Sequence, residues 1–255
     1  MKRTECNKLL GWASPGAPFS GRNEIKLCPS YLNELSYGMI EEKEIMEDKE
    51  EMSFVGALCT AEGLIAFADT KSTICSQHGM MEEKGREAKK LFPYQDGILL
   101  TYGVNEAFDP KKRHLLLEDL LEEFFGDWDG ADLKQKLFRF LFEKGTLPEV
   151  NQSFCFINLK KERRAYIKET FQIIDSGYRS ESYEYLKRNV LCFGGSEAYQ
   201  MLFQRIDVSR IANGEDGIEG TRQRLTQCLE EAVWFFDGWL EYNPVGGNII
   251  TKLLL

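Results

Sequence analysis

The sequence predicts an α+β protein built in four layers, with two antiparallel sheets stacked between two helix pairs. Three observations predict it. The apolar strand-like runs come two at a time and are joined by turns containing glycine, as in Ser53–Ala68 and Leu91–Tyr102. The amphipathic stretches also come in pairs, one between Pro110 and Lys144 and one between Glu197 and Glu241. The order of strands, two helices, strands, two helices and a last strand suits sheets covered by helix pairs.

In chain order, Ser53–Cys59 is apolar and leads through Thr60-Ala61-Glu62-Gly63 to a second apolar run, Leu64–Ala68. A hairpin of these two strands brings Asp69 and Lys71 back beside Ser53 at one sheet edge. Lys71 to Glu87 is polar and reads as irregular. Lys89 and Lys90 lead into Leu91-Phe92-Pro93-Tyr94, and Asp96-Gly97 is a hairpin turn before the strand Ile98–Tyr102 and Gly103. Pro110 suits the first turn of a helix whose stripe is Leu115, Leu116, Leu117, Leu120, Leu121, Phe124 and Phe125. A second helix is expected over 131–144.

Ser153–Leu159 alternates as a strand, Arg164–Phe171 and Phe171–Ile174 read as further strands, and Val190–Phe193 is a short buried strand ending in Gly194-Gly195-Ser196. Helices are expected over 197–206 and 220–241. The second keeps the i, i+3, i+4, i+7 spacing through Leu225, Cys228, Leu229, Ala232, Val233 and Phe236 until Asn243-Pro244 stops it. Gly246–Leu255 closes the chain as a strand.

Composition narrows the function. With 255 residues, the chain is long enough for one well-cored domain plus an extension. The domain is read as 53–255 and the extension as 1–52. The net charge of -9 argues against nucleic acid or an anionic membrane surface as a partner. No apolar run approaches the roughly 20 residues of a membrane span, and no secretory signal follows Lys2-Arg3. The 7 cysteines are scattered without a CxxC spacing and there are 2 histidines, so neither a zinc site nor another cofactor is expected. Cys59, Cys155 and Cys192 lie in apolar runs, where cysteine acts as a small hydrophobe. The cytoplasm is the expected compartment.

The extension is Gly-, Pro- and Ser-rich over 11–21 and mostly acidic over 41–51. It reads as a solvated tail, as a removable segment ahead of Ser53, or as sequence upstream of a true start at Met52.

The order of these motifs resembles the proteasome family of N-terminal-nucleophile (Ntn) hydrolases, and among them the bacterial proteasome-related Anbu type. Ser53–Thr73 looks like that family's first hairpin, with Asp69-Thr70-Lys71 as a variant of its Asp-x-Arg. Lys89-Lys90-Leu91-Phe92 looks like the stretch with the active-site lysine, and Ile98–Gly103 like the fourth strand and its glycine. Phe193–Ser196 resembles the Gly-Ser-Gly segment before the third helix, and Val245–Ile249 the Gly-Gly approach to the last strands. The likeness spans Ser53–Leu255. Gly195 and Lys71 depart from the family's serine and arginine, and no aspartate or serine aligns over 242–245.

The resemblance implies amide hydrolysis. Ser53 is the implied nucleophile and its own freed α-amine the base. Lys89 is the implied cation beside the hydroxyl, held by Asp69. The Gly103 N–H is the implied oxyanion donor, and Ser196 an implied neighbour of the nucleophile. It implies a peptide substrate and a homo-oligomeric ring or stacked assembly. Two other readings of the same residues remain: a non-catalytic subunit of this fold acting in assembly, and an Ntn amidase for a small amide. Cys59 and Thr60 lie too far along the hairpin to serve as the nucleophile.

Overall fold

The computed structural model describes residues 53–75, 81–212, 216–240 and 242–255. The acidic run and Met52 lie outside them. Within them the protein is a mixture of helices and antiparallel sheets.

The first sheet has four strands. β1 (Phe54–Cys59) pairs with β2 (Leu64–Asp69) through the expected turn, and β12 (Val190–Gly195) and β13 (Ile249–Leu254) flank them in the order β12-β1-β2-β13. Thr60 fixes the turn, because its hydroxyl donates to the Gly63 carbonyl at 2.8 Å and accepts the Glu62 and Gly63 N–H groups. The turn therefore consumes the Thr60 hydroxyl.

The second sheet has five strands in the order β11-β10-β9-β6-β5. β5 (Leu91–Tyr94) turns back into β6 (Gly97–Gly103), and β9 (Phe154–Glu162), β10 (Ala165–Ile174) and β11 (Gly177–Tyr185) continue as a meander. The stretches Arg164–Phe171 and Phe171–Ile174 form one strand, β10, with a bulge between Thr170 and Phe171. β11 has only exposed or half-buried side chains and so no apolar face for a sequence to reveal. β3 (Lys71–Cys75) and β4 (Met81–Glu87) pair where the polar sequence reads as irregular.

Three apolar cores hold these parts. Along β1 and β2 the side chains alternate: Phe54, Leu58, Ile65 and Phe67 face one core, and Val55, Ala57, Leu64 and Ala66 another. The second of these also takes Ile98 and Leu100 of β6 and Ile157 and Leu159 of β9, so it joins the two sheets. The first takes Tyr199 and Phe203 from α3 (Glu197–Gln204), Ile211 from α4 (Val208–Ala212), and Leu225, Cys228, Leu229 and Ala232 from α5 (Gly217–Trp239). A third core packs Phe154, Phe156, Phe171 and Ile173 against Leu117, Leu121, Leu137 and Leu141. Those leucines belong to α1 (Leu117–Asp127) and α2 (Leu133–Lys144).

The first helix starts seven residues later than Pro110 suggests. Residues 106–116 form a small hairpin, β7 (Glu106–Phe108) with β8 (His114–Leu116). Asp109 makes the difference: its carboxylate accepts the Lys111 and Arg113 N–H groups and the Arg113 side chain, which closes a turn around Pro110. The same donors hold the Asp109 carboxyl below the usual carboxylate range.

Candidate active site

The site is assembled where the start of β1, the ends of β2, β6 and β12, and the loop before β13 meet. Ser53 is buried, at 4% exposure, and its backbone is held on both sides. Its carbonyl accepts the Ser196 N–H at 2.7 Å, and the next peptide N–H, that of Phe54, donates to Asp69 Oδ1 at 2.9 Å. Asp69 arrives there because β1 and β2 pair in register, with Val55 opposite Ala68.

Asp69 is fully buried and its partner is Lys90. The Lys90 Nζ lies 2.9 Å from Asp69 Oδ1, and the lysine is 5% exposed. The same carboxylate oxygen therefore binds the ammonium and the peptide that follows Ser53. A buried carboxylate requires such compensation, since a lone buried charge is strongly unfavourable.

This corrects the sequence-based choice of lysine. Lys89 turns outward, its Nζ donating to Glu122 at 2.8 Å on the surface of α1. Ala88 and Lys90 are buried while Lys89 is exposed, so inward and outward positions alternate ahead of β5. The Lys90 carbonyl also accepts the Thr101 N–H at 3.0 Å, which ties the lysine to β6. The resemblance implied Lys89, and the backbone alternation turns its neighbour Lys90 inward instead.

The end of β12 needs a glycine at 195. Its φ is +95°, and a Cβ there would meet the Ser53 carbonyl oxygen at 1.8 Å. The tight approach lets Ser196 reach Ser53 through its backbone. Ser196 is buried at the N-cap of α3, where its hydroxyl makes no capping hydrogen bond. Gly103 ends β6 with φ +77°. Tyr102 just before it packs against Gly194, bringing that end of β6 beside the Gly194–Gly195 end of β12.

The loop before β13 closes the site from the other side. The Gly246 N–H donates to Asp69 Oδ2 at 3.3 Å, and its carbonyl accepts the Thr70 and Lys71 N–H groups. Lys71 stretches along this loop, its Nζ donating to the Asn243 carbonyl at 2.7 Å and lying 4.7 Å from the centre of the Tyr242 ring. A cavity of about 320 Å³ opens beside the ion pair, walled by Asp69, Thr70, Ala88, Lys90 and Ile250 among others.

Cys59 is buried at the far end of β1, and burial pushes its thiol up. Among the described residues no group of three or more His, Cys, Asp or Glu side chains is placed to hold a metal ion. No described helix is long and apolar enough to cross a membrane.

No protein-family model matches the chain. No curated protein matches it either. Solved structures do. The Anbu (Gly-1) mutant from Hyphomicrobium sp. strain MC1 is similar with 14% identity, a TM-score of 0.41, and 79% of this chain and 81% of that one covered. Anbu (ancestral β-subunit) from Yersinia bercovieri is similar with 10% identity, a TM-score of 0.43 and the same coverages, 79% and 81%. Among solved structures, then, the chain resembles Anbu, the ancestral β-subunit.

Proposed function

We propose that the chain is a proteasome-like Ntn hydrolase that cleaves peptide or amide bonds with Ser53 as its N-terminal nucleophile. The observation that carries this reading is the shared oxygen of Asp69, which joins the buried Lys90 ammonium to the peptide following Ser53. In the same reading the three cores separate four layers, helix pair, sheet, sheet and helix pair.

Ser53 becomes N-terminal only when the Met52–Ser53 bond is cut, since until then its nitrogen is an amide and not a base. The freed α-amine has an ordinary pKa of about 7.7–8.0, close to working pH. It takes the proton of the Ser53 hydroxyl while Oγ bonds to the substrate carbonyl carbon. Lys90 stabilises the negative charge that develops, with Asp69 holding the ammonium in place. The Gly103 N–H serves the oxyanion. Collapse breaks the C–N bond, the amine leaves with the proton, and water then hydrolyses the Ser53 ester.

The protein acts in the cytoplasm as a homo-oligomer on a peptide substrate. The test is hydrolysis of a fluorogenic peptide panel by a chain that begins at Ser53. Turnover that disappears in Ser53→Ala and Lys90→Met supports the reading. Turnover unchanged in Ser53→Ala overturns it.

One observation favours a second reading, a non-catalytic subunit of the same fold. The family resemblance implies an aspartate and a serine over 242–245, and this chain has Asn243 there instead, its amide committed to Tyr199 and Asp237. A folded chain that begins at Ser53 and hydrolyses no amide supports that alternative.

A further inference from the structure

Asn243 is a heavily bonded polar side chain near the site, and the catalytic scheme above does not use it. It is 5% exposed and sits between two helices and the loop that covers Asp69. Its Nδ2 donates to Asp237 Oδ1 at 2.9 Å in the last turns of α5, with the Val233 carbonyl at 3.3 Å. Its amide is also hydrogen bonded to the Tyr199 hydroxyl of α3. Its Oδ1 accepts the Val245 N–H at 3.2 Å, and its backbone carbonyl accepts the Lys71 ammonium. A buried amide with donors and acceptors satisfied on every side fixes its surroundings, since each lost partner leaves a buried polar group exposed to its full desolvation cost.

The loop that Asn243 anchors is the one that sets Asp69. Gly246 gives its N–H to Asp69 Oδ2, and Thr70 N–H binds both the Gly246 and Asn248 carbonyls. Asn248 N–H returns to the Thr70 hydroxyl at 2.8 Å. Gly247, at φ +69°, lets the loop pass close to Thr70, where a Cβ would meet the hydroxyl oxygen at 2.5 Å. One Asp69 oxygen is thus oriented by this loop, and the other is left to Lys90 and the Phe54 N–H.

We infer that Asn243 is a positioning residue: by tying the 243–248 loop to α3 and α5 it fixes the orientation of Asp69, and through it the Lys90 ammonium and the Ser53–Phe54 peptide. The inference rests on the site proposed above, but its geometry holds whether or not that site turns over substrate. Asp cannot replace Asn here, because a carboxylate at 243 has no donor for Asp237 and meets a like charge. The exchanged pair Asn243→Asp with Asp237→Asn restores a donor and an acceptor with the direction reversed.

The experiment is residue-resolved hydrogen–deuterium exchange on the full chain, read at the Phe54 and Gly246 amides, with circular dichroism as the check on folding. Asn243→Asp is expected to speed exchange at both amides by about tenfold, and the double variant to bring both back toward wild type. A merely structural role would loosen the 243–248 loop and leave Phe54 unchanged. Unchanged Phe54 exchange in a folded Asn243→Asp variant therefore overturns the inference, as does a folded double variant no slower than the single one. If Asn243→Asp does not fold, Tyr199→Phe, which removes one anchor and leaves the amide in place, is read at the same two amides with the same criterion. Because neither readout needs hydrolysis, a protein that never cleaves an amide would refute the proposed reaction and leave this test intact.

Discussion

The Asp69 carboxylate decides which side chains matter at the residue scale. Replacing Lys90 by Met leaves a fully buried carboxylate without its cation, and removal of one partner of such a pair costs about 3–5 kcal/mol. Urea unfolding of Lys90→Met should show a loss of that size. Lys89→Ala removes only a surface pair with Glu122 and should stay within about 0.5 kcal/mol of wild type. Equal losses in the two variants would contradict the assignment. Gly195→Ala is the second test at this scale. Its Cβ would strike the Ser53 carbonyl, and its φ is one that alanine rarely adopts, so a loss of about 2 kcal/mol or more is expected by the same assay. The sequence made Ser53, Asp69 and Gly195 visible because each sits at the end of an apolar run or beside one. It did not separate Lys89 from Lys90, because two identical neighbours differ only in which way the backbone turns them. Asn243 was invisible as a hub, since its partners Tyr199 and Asp237 come from two different helices.

At the scale of elements, the strands buried on both faces were the most legible. β1 and β2 are buried at every position, so their runs stand out. Among the strands that the sequence did not reveal, β3, β4 and β11 are held by backbone pairing to a neighbour and carry few apolar residues. The late start of α1 has a similar cause, in that an aspartate at 109 competes for the backbone more strongly than a proline at 110 favours a helix. Elements also depend on one another through single side chains. The Glu62 carboxylate, in the β1–β2 turn, accepts the Ile218 N–H at 2.9 Å and so caps α5 from a distant part of the chain. Glu62→Ala is expected to lower stability by about 0.5–1 kcal/mol, both through the lost cap and through the helix dipole. A thermal melt that matches wild type would show that α5 needs no cap from the turn.

For the molecule as a whole, the core between the two sheets brings the Asp69–Lys90 ion pair beside the Ser53–Phe54 peptide. It holds β1 and β2 against β6 and β9 through Val55, Ala57, Ile98 and Ile157. Cys192 lies within it, its Sγ 3.5 Å from the Ala57 carbonyl, and burial pushes its thiol up to about 11. The protonated thiol in a dry core should resist alkylation by iodoacetamide at neutral pH and react fully in urea, as read by peptide mass spectrometry. Rapid native labelling of Cys192 would mean that the sheets part in solution. The sign of the pH effect follows from the same shift. A thiol raised in the folded state stabilises fold below its unfolded pKa near 9, and that contribution is lost as pH climbs toward 11.

The most direct test of the central claim is the site of acylation in a chain that begins at Ser53. The chain is incubated with a peptide ester acyl donor, and the adduct is located by tandem mass spectrometry. A single acyl group on the Ser53 oxygen, absent from Lys90→Met and from a chain that keeps Met52, is the predicted result. Acylation elsewhere, none at all, or equal acylation of Ser53 when Met52 precedes it would contradict an N-terminal nucleophile served by Lys90.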